Sequence, residues 1–128
     1  MTDPYRQITF AGNGPWAAFS QNELYRMAGE ANSGPFHIRV LFAAMGRMNA
    51  FGHAELRVGE LARILGTTNT STGEFTPCRR DSVSAAIKET KRRGLIAPES
   101  KSRCLVLHHH VFQKSTKDRW RCSVHDLD

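Results

Sequence analysis

The sequence is short of most features that announce a function. Its three cysteines, Cys78, Cys104 and Cys122, are too few and too odd in number for a disulfide framework. A reducing, cytoplasmic setting is the expectation. No apolar run approaches the roughly 20 residues that cross a bilayer. The opening "MTDPYRQITF" lacks a basic start followed by an apolar stretch, so neither a signal peptide nor a membrane partner is expected. There is no G-x-S-x-G, no phosphate-cradling glycine loop and no dinucleotide-binding fingerprint. Carboxylates are scattered, with no pair in an apolar setting, so the chain reads as a binding protein and not an enzyme. Internal repeats and low-complexity tracts are missing as well.

What is present is an uneven charge. The 128 residues carry a net +6. Residues 1–75 hold six Lys/Arg against six Asp/Glu, whereas residues 76–128 hold twelve against six. A basic half on a neutral half is the electrostatic footprint of a polyanion partner. The plain alternative is a solvated basic face.

Spacing then orders the chain. Ser20 and Glu23 form a capping box at a helix start, followed by Leu24, Met27, Ala28 and Ala31 at helical intervals. Pro35 opens a second helix, whose predicted core stripe is Ile38, Leu41, Phe42 and Met45, with Arg39 and Arg47 off it. "LRV" suits a very short strand. Gly59 caps a short helix from Glu60 to about Leu65, with Leu61, Ala62 and Leu65 inward. "TTNTSTGEFTPC" is a polar loop whose composition predicts mobility. Thr76-Pro77 signals the start of a long basic helix, about 77–93, that ends at Gly94. Val83, Ala86, Ile87 and Thr90 face its core side. "CLVLHHHVFQ" and "DRWRCSVHD" read as two strands of a hairpin turned at "KSTK".

"ELARILG", then "DSVSAAIKETKRRGLI", then a hairpin resembles the winged helix-turn-helix domains of bacterial MarR-type regulators and of plasmid and phage replication initiators. The resemblance runs from about Pro35 to Asp126. It implies a mostly α fold with a small β-hairpin wing (α+β). Residues 1–34 would form an N-terminal arm and helix, with any dimer contact, and residues 35–128 the winged domain. The family joins its two helices by a few residues; the segment at 66–76 is much longer.

The resemblance implies sequence-specific binding of double-stranded DNA by a homodimeric regulator. The alternative is a winged-helix protein-interaction module, or a replication or partition accessory factor. Arg79 and Arg80 in the first helical turn suit guanine edges, and Ser82 and Ser84 reach bases or phosphates. Lys88, Lys91, Arg92 and Arg93 suit phosphates. In the wing, about 104–125, Lys114, Lys117, Arg119 and Arg121 suit phosphates or the minor groove. Trp120 and Phe112 face each other or cover the core. Trp16, Phe10 and Phe19 cap the core or meet a second copy.

No cofactor is required by this reading. An alternative stays open: Cys104, His110, Cys122 and His125 are enough for a structural zinc site at the base of the wing. Cys122-Ser-Val-His125 has ligand-like spacing, and residues 104, 108 and 110 share strand parity. No C-x-x-C knuckle accompanies them. Cys78, beside two arginines, is a candidate redox thiol.

Overall fold

The computed structural model describes residues 15–108, 110–112 and 122–125. Its architecture is mixed α/β, with four α-helices and two small antiparallel two-stranded sheets among the described residues. None of these helices is long and apolar enough to cross a membrane.

Helix α1 (Gln21–Ala28) begins as its capping box predicts: the Ser20 hydroxyl accepts from the Glu23 amide at 3.3 Å. Helix α2 (Phe36–Arg47) crosses it closely. A side-chain carbon at Gly46 would stand 2.7 Å from the Tyr25 backbone nitrogen, so only glycine lets the two backbones approach this far.

The predicted core stripe of α2 is displaced. Its fully buried positions are Arg39, Val40, Ala43 and Ala44, while Ile38, Leu41, Phe42 and Met45 are half-buried. Small residues occupy the closest approaches, because α2 is packed against α1, α3, α4 and the sheet together. Arg39 is tolerated inside because its guanidinium donates to the carbonyls of Ala28 and Ile64, each at 2.8 Å. Those are the last residues of α1 and α3, where helix dipoles favour a cation.

Strand β1 (His53–Glu55) leads to helix α3 (Glu60–Ile64), which Gly59 caps in the left-handed region at φ 78°. Glu60 is buried. Burial works to raise its pKa, but the Arg57 amide, the Tyr25 hydroxyl at 2.8 Å and Arg47 outweigh this and hold it below the usual carboxylate value.

The segment after α3 differs from the predicted mobile loop. Strands β2 (Thr67–Thr68) and β3 (Phe75–Thr76) pair as a hairpin. The Asn69 side chain organises its turn by accepting from the Ser71 and Thr72 amides, and Gly73 takes a positive φ. The pairing also moves the start of the basic helix. Thr76 lies in β3, the Cys78 amide donates to Ala62 at 2.8 Å, and α4 runs Arg80–Arg92 with Arg79 at its N-cap. Thr76-Pro77 therefore belongs to the connector. The inward face of α4 is as predicted, with Val83, Ala86, Ile87 and Thr90 all buried. Gly94, at φ 73°, closes it: the Gly94 amide donates to Lys91 and the Leu95 amide to Thr90.

Strand β4 (Cys104–Val106) pairs with β1, His53 opposite Val106 and Glu55 opposite Cys104. On its other side Ile96 bridges Leu107, and the Ala97 amide donates to Val106. The hairpin after α4 thus spans 96–107 and turns through 98–103. This corrects the predicted hairpin of 104–113 with 118–126 where its residues are described. All three residues of β4 are buried, as suits a strand with neighbours on both sides. Cys122–His125 form a turn, not a strand. The "KSTK" tip, with Lys114, Lys117, Arg119, Trp120 and Arg121, lies outside the described residues.

The sheet has two faces. Ala54, Leu56, Leu105 and Leu107 enter the main core with Val40, Leu61, Val83 and Ile87. Cys104 and Val106 point the other way, into a second, small cluster with Ala97, Cys122 and Val124. Phe112 is buried in the main core, whereas Trp16 and Phe19 are exposed and do not cap it.

Candidate metal centre and basic surface

The second face of the sheet gathers His53, Cys104, Cys122 and His125, whose ligand atoms all lie within 4.8 Å of one another. Strand alternation puts His53 and Cys104 on one face as diagonal neighbours, with His53 Nδ1 3.4 Å from Cys104 Sγ. The turn at 122–125 closes over them. Cys122 Sγ is 3.4 Å from Cys104 Sγ, and His125 Nδ1 is 3.2 Å from Cys122 Sγ. The two imidazoles meet edge to face at 5.3 Å. Both cysteines are buried and unbonded to each other, and both histidines are half-buried. Burial pushes the Cys104 thiol up, and Cys122 beside it adds to the rise.

Outer contacts fix these groups. His125 Nε2 lies 2.7 Å from the Glu99 carbonyl, in the turn of the 96–107 hairpin. Glu55 Oε1 accepts from the Ser123 amide at 3.1 Å and the Ser123 hydroxyl at 2.7 Å. The Ser123 hydroxyl bond does most to lower the Glu55 pKa, although burial opposes it.

Three of the four ligands foreseen for zinc are therefore together, and the fourth is His53 in place of His110. The strand ends before His108, so the parity argument for residues 108 and 110 lapses. His110 instead stacks on His108 at 4.6 Å and is exposed. His53 stands 51 residues before Cys104, and only strand pairing brings it in. Its signal was the alternation His-Ala-Glu-Leu, with Ala54 and Leu56 facing the core and His53 facing away from it.

The basic helix presents Arg79, Arg80, Ser84 and Lys88 to solvent, with Ser82 and Lys91 half-buried. Several charges are already paired: Arg79 with Asp81 at 3.4 Å, and Arg92 and Arg93 with Glu89 at 2.6 and 2.7 Å. Among the described residues, Arg80 and Lys88 carry no ion pair. A surface groove of about 540 Å³ lies between α3, α4 and the 98–103 turn; apolar Leu61, Ala62, Val83 and Ile87 line it together with Arg80, Ser84 and Arg103. Cys78 also lines it. Burial raises the Cys78 pKa although Arg39 works against this, the opposite direction from an activated thiol.

Comparison with protein-family models, curated proteins and solved structures finds no match to this chain.

Proposed function

We propose that the chain binds double-stranded DNA as a winged helix-turn-helix regulator of the MarR and replication-initiator type, with α3 as support, α4 as recognition helix and the 96–107 hairpin as wing. The observation that carries this reading is the shared groove. Arg80 and Ser84 on α4 and Arg103 on the hairpin turn line one concave surface, and Lys88, one helical turn beyond Ser84, is exposed. In this arrangement Arg80 suits a guanine edge, and Lys88, Lys101 and Arg103 suit phosphates. The cluster on the far face of the sheet would hold a structural zinc.

The test is DNA binding across salt, on fragments recovered by selection from a random pool. Affinity should fall by about a thousandfold between roughly 50 and 200 mM salt if about six phosphates are contacted. The Arg80→Ala, Lys88→Ala pair should lose most of that binding and flatten the salt slope while the protein stays folded. A flat salt response in the parent, or full binding by the double variant, removes the proposal. A palindromic selected site would indicate a dimer.

A further inference from the structure

We infer that His53, Cys104, Cys122 and His125 form a closed, four-coordinate zinc(II) site that fastens the 122–125 turn and the 98–103 hairpin turn to the sheet. This sharpens the zinc reading just given and does not depend on DNA binding. The first support is distance. In tetrahedral zinc, bond lengths near 2.3 Å to sulfur and 2.0 Å to nitrogen put neighbouring ligand atoms about 3.5–3.8 Å apart. The three shortest pairs, at 3.4, 3.4 and 3.2 Å, need to open by a few tenths of an ångström, and the longest, within 4.8 Å, to close by about 1 Å, to admit the ion. The separation of 3.4 Å is also far beyond a sulfur–sulfur bond.

The second support is the donor set. Two thiols and two imidazoles suit zinc, whereas magnesium and calcium take oxygen ligands. On binding, Zn²⁺ replaces the two thiol protons, which pass to solvent. The product is an ion with two thiolates and no net charge, a form that a site beside buried Val106 and Ala97 tolerates. Four protein ligands leave no open position for a substrate or activated water, so the role is structural.

The third support is the outer shell. Zinc-bound histidines normally donate their second ring N–H to a carbonyl or carboxylate. His125 already places Nε2 2.7 Å from the Glu99 carbonyl, which turns Nδ1 toward the sulfurs. The apolar contacts around the site supply the need. Ala97, Cys104, Val106, Cys122 and Val124 make a cluster too small to hold a chain segment by burial alone.

The experiment uses the full chain without a histidine tag, expressed with zinc in the medium. About one zinc per chain is expected, and less than about a tenth overturns the proposal. Cobalt(II) in place of zinc should give the visible bands of a tetrahedral, thiolate-bound ion. An octahedral spectrum overturns the assignment. His53→Ala and Cys122→Ser should lower metal content at least tenfold, and His110→Ala should leave it at one. The reverse pattern for the two histidines overturns the ligand set. Should those variants not fold, thiol counting on the parent decides. Chelation should add two cysteines to those that react with a thiol reagent. No increase, with Cys104 and Cys122 joined as a disulfide, overturns zinc. Because metal is read without DNA, a zinc-loaded protein that ignores DNA defeats only the DNA proposal. A zinc-free protein that binds DNA defeats only this one.

Discussion

Arg39 is a residue that periodicity alone misplaces. Its charge argued for the surface, yet it is only 2% exposed. The reason lies in two helix ends, which leave carbonyls without intrahelical partners. Arg39 satisfies one from α1 and one from α3. Burial lowers its pKa, but an arginine stays charged throughout the accessible range. Methionine would fill much of the same space and leave both carbonyls unpaired. Since stranding a buried polar group costs about 1–3 kcal/mol, Arg39→Met should destabilise the protein by about 2 kcal/mol in urea unfolding. Unchanged stability would mean that water replaces the guanidinium. His53 is the counterpart at the candidate metal cluster. Its alternation with Ala54 and Leu56 marked the outward face, but only the pairing of β1 with β4 brings it to the cysteines.

At the scale of elements, α4 was the most readable part of the chain. Its buried face followed from spacing, and its end from Gly94. Its start was not readable, because the Thr-Pro signal competes with β-pairing of Phe75 and Thr76, residues that favour strands. The hairpin was misplaced for a related reason. The strand partner is a single bridge at Ile96, a few residues after the end of a helix, whereas the histidine-rich run looked longer and more strand-like. The last turn of α4 also carries a pH signature. Arg92 and then Arg93 hold the Glu89 carboxyl down at about 2, against an ordinary value of 4.5. A depressed carboxylate pKa means the unfolded chain binds the proton first, so stability is present above about 4.5 and declines as pH falls toward about 2. Glu89→Gln should flatten that part of the acid-unfolding profile. The difference should shrink in high salt, because the pairs are solvent-exposed. An unaltered acid limb would show that the arginines do not stay on Glu89 in solution.

For the whole molecule, the sequence conveyed the helical half better than the sheet. Helices declare themselves within a dozen residues; the sheet joins residues about fifty apart. The consequence for the site is that its chemistry was visible and its membership was not. Cys104, Cys122 and His125 were recognised by type and spacing, while His53 replaced His110. If zinc holds these four residues in the native state alone, metal and folding are linked. Removing it with a chelator should lower Tm by on the order of 10 °C, the effect of about 4 kcal/mol lost from a thousandfold excess over Kd. Calorimetry with and without chelator checks this, and coincident transitions would rule out a stabilising metal.

The pairing of β1 with β4 also bears on the order of assembly. Helices α1 and α2 are neighbours in sequence and close on each other over a short connection, so their contacts form early. The sheet must wait for a loop of some fifty residues to close, which is slow and entropically costly. No pair of ligands from different strands exists before that event. If the cluster binds zinc, ion capture during refolding is a clock for sheet closure: its rate should match the slowest folding phase and be independent of ion concentration once the ion is in excess.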